Sequence, residues 1–319
     1  EEEKENAIKE IKKIDAGCYI ESKNAEKVNV PKEEIPVKLK HAAFFKPFEL
    51  LIDSYGIPRY GTIDPTIFVA ISFLIMFGAM FGDMGHGFIL TLGSLFLNIS
   101  KNEKVRQASS LMLYCGISSM IFGLLYGSFF GIEFRSLWIK PIDNIMEIFK
   151  VSVIFGMCFI SLGILINIIN ALRDKDYLKA LFDKAGLIGG IIYWAAIGLF
   201  IKMSMAKTHG LNIYFVVISI GFILLFLKPF IEAFFKIEKR NILTALMESA
   251  IDVLEVGMSY LANTVSFIRI AAFSLAHTGL FIAIFELSRI VNDAGGAILS
   301  FLVVIFGNML IIFLEGLVV

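Results

Sequence analysis

The sequence predicts an all-α, polytopic membrane protein of about eight transmembrane helices, with the last two long and steeply tilted. Hydrophobic residues make up 57% of the 319 residues, and the mean hydropathy is +0.77. Only 18% of the residues are charged, which lies outside the balance of a soluble globular domain. After Pro65, apolar segments recur between short charged loops, and most approach the ~20 residues that a spanning helix needs.

Two domains are expected from the change in composition near Pro65. Residues 1–64 mix Lys, Glu and Pro, and we expect the end of a cytoplasmic soluble domain and a linker there. Residues 65–319 form the expected transmembrane domain, with its C-terminus truncated. Because the chain starts without Met, it is expected to begin inside a longer protein. The eight predicted spans cover 65–82, 86–100, 107–132, 151–172, 185–206, 210–231, 246–289 and 294–319.

Basic residues near the spans predict the orientation. They concentrate in the loops after the second, fourth and sixth spans, and cytoplasmic loops carry the excess of Lys and Arg. We therefore expect a cytoplasmic N-terminus, and an even number of spans would return the C-terminus to the same side. The basic residues in these loops are Lys101, Lys104, Arg106, Arg173, Lys175, Lys179, Lys184, Lys236, Lys239 and Arg240.

Several functional classes are excluded by the same composition. The net charge is zero, and no basic cluster accompanies aromatic residues, so no nucleic-acid partner is expected. The three cysteines have no paired or metal-ligand spacing, so we expect neither a disulfide nor a metal site. Without a Gly-rich phosphate-binding loop, the chain is expected to bind no nucleotide, and no cofactor is predicted.

Arg269 is the most informative residue, because it stands in the middle of the long apolar segment from Val256 to His277. A guanidinium cannot be deprotonated in a protein, and at the centre of a bilayer it is costly without a partner. The seventh segment contains no Pro, so one uninterrupted helix is predicted. Such a helix exceeds the hydrocarbon thickness and must tilt or emerge at its ends.

A polar track is predicted along this helix. At ~100° per residue, Glu255 returns to within about 40° of the face of Arg269, roughly 21 Å toward the cytoplasm. His277 follows Arg269 by eight positions on the other side. The further polar residues of the track are Glu248, Ser259, Asn263 and Ser266.

More polar residues fall in other apolar segments. Glu315 and Asn308 lie in the eighth segment, and Asp83 and His86 lie between the first two. Carboxylates and imidazoles in a membrane are the usual parts of proton relays, whereas a fixed guanidinium favours proton release from a carboxylate beside it. Two half-pathways separated by one permanent positive charge are therefore predicted. The structural alternatives are that Asp83 caps a helix and that Arg269 is paired internally with Glu315 or another acid of this chain.

Two stretches resemble signature motifs of a known family. Met80-Phe-Gly-Asp-Met-Gly-His-Gly87 and Ser266-Phe-Ile-Arg-Ile-Ala-Ala-Phe-Ser-Leu-Ala-His277 are similar to the membrane domain of the stator subunit a, or subunit I, of V-type and A-type rotary ATPases. The stretch from Phe44 to Tyr60 resembles the linker of that family. Ile270-Ala271-Ala272 is more similar to archaeal or bacterial members than to eukaryotic ones.

The resemblance implies a role for each matching residue. Arg269 would face the carboxylate of each passing subunit of a rotor c-ring (proteolipid ring), and Glu255 would be the acid of a cytoplasmic half-channel. Asp83, His277 and Glu315 would belong to the outer half-channel, and Ser259 and Asn263 to the cytoplasmic one. His86, Glu248, Ser266 and Asn308 are further candidates. The second arginine that the family carries beyond the matching acid does not occur up to Val319.

The resemblance implies a stator subunit that couples H⁺ or Na⁺ translocation to rotary ATP synthesis or hydrolysis. Its expected partners are the rotor ring, peripheral stalk subunits bound through the cytoplasmic domain, and the lipid bilayer, which in a prokaryote would be the plasma membrane. Two alternatives remain open at this point: a self-contained secondary ion transporter or antiporter with its own substrate site, and a noncatalytic membrane anchor.

Overall fold

A computed structural model describes residues 10–13, 35, 37, 39, 41–204, 211–236 and 242–318. The described part is predominantly helical, with one short β-hairpin formed by β1 (Ser128–Phe129) and β2 (Ile132–Glu133). Its helices are α1 (Glu49–Tyr55), α2 (Thr66–Met80), α3 (Met84–Leu97), α4 (Glu103–Tyr126), α5 (Ile145–Arg173), α6 (Tyr177–Phe182), α7 (Leu187–Ser204), α8 (Leu211–Lys236), α9 (Ile242–Ser266), α10 (Ile268–Gly295) and α11 (Ala297–Val318).

An all-α polytopic membrane protein is confirmed, but the count of eight spans is not. In the described chain, six helical segments are long and apolar enough to cross a membrane. One of them joins α6 to α7, and another joins α9 to α10. Helices α2 and α3, with 15 and 14 residues, reach only about 22 Å at the usual helical rise, which is less than the ~30 Å hydrocarbon core.

Helices α2 and α3 both pack on α4. Ser118 of α4 donates a hydrogen bond to the carbonyl of Leu74 in α2 at 2.6 Å. On the α3 side, Gly87 faces the carbonyl of Gly116. Small residues allow this close approach, as is common between membrane helices. The apolar contacts of this bundle centre on Phe77, Phe81, Leu90 and Cys115.

The third predicted span, 107–132, ends earlier than expected. Helix α4 stops at Tyr126, and Gly127 follows with a φ of +76°, a left-handed conformation that terminates the helix. Gly131, with a φ of +75°, lies in the hairpin. Of Gly123, Gly127 and Gly131, which recur at four-residue spacing, only Gly123 therefore lies within α4, where it approaches the backbone of Asp83 and Met84.

The long seventh segment is interrupted once. It was predicted as an uninterrupted helix, but α9 and α10 meet at Phe267, where Phe267 N–H donates to Thr264 O at 3.3 Å and Ile270 N–H to Phe267 O at 3.1 Å. These i→i−3 bonds are those of a tightened 3₁₀ turn, and they leave the axis nearly continuous. The joined segment of 52 residues is about 78 Å long at the helical rise, more than twice the hydrocarbon thickness. Helix α11, with 22 residues, has the length of an ordinary span.

The described part of the expected linker docks on the membrane helices. Phe48 is fully buried, and its ring stacks on Tyr114 of α4 with centroids 6.0 Å apart. His41 joins two carboxylates: Nδ1 lies 2.7 Å from Glu49 Oε1, and Nε2 lies 2.6 Å from Asp64 Oδ2. Because a neutral imidazole carries only one N–H, both contacts are hydrogen bonds only when the ring is protonated.

The pKa values of this cluster follow from its contacts. Burial lowers the pKa of His41, but the hydrogen bonds with Glu49 and Asp64 outweigh it and raise the pKa above its usual value. Burial raises the pKa of Asp64, but hydrogen bonds from Thr66 and His41 outweigh it, and the pKa is lowered. The hydrogen bonds of His41 with Glu49 and Asp64 are therefore strongest where His41 is charged and Asp64 is ionised.

The stability contributed by His41 depends on pH. Because its folded pKa is raised, the contribution is fully present below the ordinary value of 6.5 and is lost as pH rises through the raised value. Thermal unfolding of the full-length protein in lipid nanodiscs should show a midpoint that falls by roughly 2–4 °C on the alkaline side of neutrality. The His41→Asn variant should lack this pH-dependent step, and an unchanged step in that variant would contradict the assignment.

Substitution of Gly123 tests the packing of α3 on α4. A Cβ at Gly123 would lie 2.6 Å from the carbonyl carbon of Asp83, so that backbone must move. Gly123→Ala should destabilise the protein by about 1–3 kcal/mol, the usual cost of overpacking, measured by denaturation in detergent. Gly163→Ala is the control, because a Cβ there meets nothing within 4 Å. Equal stability of the two variants would refute the close contact.

Candidate functional site

The predicted polar track is an exposed stripe on α9 and α10. Glu255, Ser259, Asn263, Ser266 and Arg269 are all exposed, and their spacings of four, four, three and three residues keep them on one face of a helix. Asn263 Nδ2 donates to Ser259 Oγ at 3.4 Å, which is a weak contact. Glu248 lies in α9, but its side chain lies outside what the structure describes.

Exposed apolar residues flank this stripe. Leu254, Met258 and Leu261 are 65%, 71% and 69% exposed. An apolar surface interrupted by a polar row is typical of a helix that faces lipid or a partner inside the membrane. The polar row is therefore accessible from outside the described helices.

Arg269 has no acidic partner in the part of the chain that the structure describes. Its guanidinium donates one hydrogen bond to Ser266 Oγ at 3.1 Å, one turn earlier in sequence. The internal pair of Arg269 with Glu315, the structural alternative considered above, does not form, because Glu315 is bound to His277.

Glu255, in contrast, is paired. Its Oε2 lies 2.5 Å from Nζ of Lys184, in the loop between α6 and α7. A second ion pair lies one turn earlier on α9, where Asp252 Oδ2 accepts from Nζ of Lys228 in α8 at 2.9 Å. The sequence predicted Glu255 but neither lysine partner, because the 71 residues between Lys184 and Glu255 leave no spacing signal.

Four of the residues predicted for the ion pathway form a buried cluster. His277 Nδ1 contacts Glu315 Oε2, and His86 Nε2 lies 2.9 Å from Asn308 Oδ1. The two imidazole rings are 5.5 Å apart in an edge-to-face arrangement. His86 is fully buried, and His277 and Glu315 are 4% and 8% exposed. Four of the candidates from the sequence are thus brought together from α3, α10 and α11.

Phenylalanine rings pack around the two imidazoles of this cluster. Phe281 lies 5.0 Å from the ring of His86 and 4.9 Å from that of His277, and Phe81 lies 5.2 Å from His277. Within the described chain, three buried polar atoms of the cluster have no hydrogen-bond partner: His86 Nδ1, His277 Nε2 and Glu315 Oε1. Buried polar atoms normally have a hydrogen-bond partner, so we expect these three atoms to bind water or to take part in proton transfer.

A cleft leads to this cluster from the hairpin side. It encloses about 530 Å³, including the part open to solvent. An ion pair stands at its edge, where Lys140 Nζ lies 2.6 Å from Glu133 Oε2. Its lining includes Ser128, Glu133, Lys140, Ser274, His277 and Phe281.

Asp83 has a structural position beside the cluster. It caps α3 by accepting from the backbone N–H of His86 at 2.9 Å. The same carboxylate accepts from Ser128 Oγ at 2.5 Å and from the N–H groups of Phe130 and Gly131 at 3.0 Å each. The helix cap that the sequence left as an alternative is present, and Asp83 also fixes the hairpin against α3. The hairpin donors were not found from the sequence, because they lie 45 or more residues away.

Comparisons with known proteins agree with this architecture. A model of the V-type ATPase 116kDa subunit family matches residues 2–144. An A-type ATP synthase subunit I of Pyrococcus horikoshii is 26% identical over 97% of this chain and 47% of its own length. A-type ATP synthase subunit I of Archaeoglobus fulgidus is 46% identical over 31% of this chain and 15% of its own. V-type ATP synthase subunit I 2 of Treponema pallidum is 32% identical over 48% of this chain and 39% of its own.

These relatives also give the extent of the match. Where the similarity runs over nearly the whole chain, the chain spans about half the length of the relative. The family match over residues 2–144 and these relatives show that the chain is similar to the V-type ATPase 116kDa subunit family and to A-type and V-type ATP synthase subunits I.

Proposed function

We propose that this chain is the ion-translocating membrane region of a rotary ATPase stator. In this proposal, the chain supplies two offset half-channels and the charge of Arg269, and a partner rotor ring supplies the carboxylate that carries the ion. Ion movement then drives, or is driven by, ATP turnover in a separate soluble part of the complex. The observation that carries the proposal is the exposed Arg269 without an acidic partner among the described residues.

The position of Arg269 supports a partner outside this chain. Its charge lies among apolar residues and faces away from the helices that pack on α10. A permanent cation in a membrane requires an anion or water nearby. A carboxylate on another subunit satisfies this requirement, and the guanidinium in turn favours the ionised form of that carboxylate. An ion carried by the visiting carboxylate is therefore released before the carboxylate passes Arg269.

The exposed stripe supports the cytoplasmic half-channel. Glu255 lies fourteen residues before Arg269, about 21 Å along the helix. Ser259, Asn263 and Ser266 lie between them on the same exposed face. Hydroxyl and amide groups at each turn can hydrogen-bond a row of water molecules. Such a row would lead an ion from Glu255 to the ring carboxylate near Arg269.

The buried cluster supports the outer half-channel. His277 lies eight residues beyond Arg269, about 12 Å along the helix, and lines the cleft that opens beside Lys140. An imidazole and a carboxylate in contact can exchange a proton, and unpartnered nitrogen atoms allow it to be passed on. In the proposal, Glu315 and His277 transfer the proton between the ring carboxylate and the cleft.

The self-contained transporter receives less support from the contacts. That alternative needs Asp83, Arg269 and Glu315 to share one substrate site. Asp83 is bound by the hairpin, Glu315 by His277, and Arg269 by Ser266, so the three groups take part in separate contacts. Reconstitution of the chain without a ring partner separates the two functions, because ion exchange by the chain alone would favour the transporter.

Removal of the Arg269 charge tests the proposal directly. In the assembled full-length complex in proteoliposomes, Arg269→Ala should lower ATP-driven ion transport by about 10²–10³-fold, the effect typical of losing a preorganised charge. Arg289→Ala is the matched control, because Arg289 is exposed on the same helix near its end. Coupled transport at the normal rate in Arg269→Ala would reject the assignment.

Neutralisation of Glu315 tests the outer half-channel. Glu315→Gln keeps the shape of the side chain but removes the carboxylate in contact with His277. Transport by the assembled complex should fall by about 10²-fold, as for loss of a positioned proton-transfer group. Glu286→Gln, on the exposed face of α10, should transport at the original rate. If both variants transport equally well, Glu315 has no part in the pathway.

A further inference from the structure

The loop between α6 and α7 is built to hold one lysine against Glu255. Lys184 Nζ lies 2.5 Å from Glu255 Oε2, and the two side chains are 46% and 49% exposed. A single exposed ion pair is weak evidence for a role, because such pairs form and break easily. The backbone of the loop, however, is fixed by hydrogen bonds from two other helices.

Three hydrogen bonds fix the loop. Asn167 Nδ2, in α5, donates to Asp183 Oδ2 at 2.9 Å and to Ala185 O at 3.1 Å. Tyr260 of α9 donates from its hydroxyl to Lys184 O at 2.8 Å. Tyr260 is itself packed on Tyr193 of α7, with ring centroids 5.0 Å apart. The backbone of Lys184 is therefore tied to α9, the helix that carries Glu255.

The charged groups around Lys184 explain which acid it contacts. Asp183 is engaged by Asn167, and Asp252 is engaged by Lys228 of α8. Glu255 is the carboxylate within ion-pair distance of Lys184 among the described residues. Both pairs stand on the same side of α9, at the end of the polar stripe away from Arg269.

We propose that Lys184 is a positioning residue for Glu255 at the cytoplasmic entrance of the pathway. This inference rests on the proposed function and adds a residue to it. The ammonium of Lys184 holds the Glu255 carboxylate in place at the end of the stripe. When Glu255 takes a proton from the cytoplasm, it loses its charge and the pair opens. When Glu255 passes that proton along the stripe, the carboxylate is restored and the pair forms again.

A dependence on charge at position 184 follows from this arrangement. Without the ammonium, the Glu255 carboxylate loses its ion-pair partner among the described residues, and its position at the end of the stripe is no longer held. A variant that restores a positive charge should therefore restore transport. A lysine that only supports the fold would instead give the same loss with charged and neutral replacements.

The test is the rate of ATP-driven proton transport by the full-length complex in proteoliposomes, normalised to the amount of assembled complex. Lys184→Met should lower the rate by about two- to fivefold, as for loss of an exposed ion pair, and Lys184→Arg should restore the original rate because it keeps the charge. Lys179→Met is the matched control, because it removes an exposed lysine of α6. Lys184→Gln provides a second neutral variant if Lys184→Met assembles poorly.

Glu255→Gln in the same assay separates the two proposals. If Glu255→Gln transports at the original rate, the proposed cytoplasmic half-channel is wrong. If Glu255→Gln abolishes transport while Lys184→Met transports at the original rate, only the role of Lys184 is overturned. An equal loss of rate in Lys184→Met and Lys184→Arg also overturns it, since that result indicates a structural role of the lysine side chain.

Discussion

The charge of Arg269 is the constraint on which the proposed function depends. A guanidinium among apolar side chains can be stabilised by an internal acid, but the acid of α11 is already bound to His277. Arg269 instead lies on an exposed face with only Ser266 as a hydrogen-bond partner in the described chain. This arrangement agrees with the proposed meeting of Arg269 with an acid of another subunit.

The two sides of Arg269 are built differently. Toward Glu255, the polar groups form an open stripe that needs another surface to enclose it. Toward His277, they are enclosed by phenylalanine rings and reach the outside through a cleft within the chain. Among the described residues, those of the open stripe do not line the cleft that His277 lines. A moving partner at Arg269 would connect them, which agrees with the proposed rotor.

The sequence was sufficient to predict those features of the candidate site that depend on residue spacing within one helix. The stripe from Glu255 to Arg269 follows from the helical repeat, and Ser266 and Arg269, on either side of the turn at Phe267, are still joined by a hydrogen bond. Residues that pair across long separations could not be found in this way. Lys184 and the hairpin donors to Asp83 depend on tertiary packing, and a single sequence holds no periodic signal for such contacts.

The error at the end of the third predicted span has a related physical cause. Hydropathy counts apolar residues and does not detect where a helix stops, so α4 was extended through Gly127, where a left-handed backbone ends it. The shortening matters for the site, because residues 128–131 are released to bind Asp83. With its carboxylate occupied by four donors, Asp83 fixes the start of α3 and thereby the place of His86 against Asn308. Asp83 therefore acts in this structure through its hydrogen bonds, which hold the ring of His86 in contact with the ring of His277.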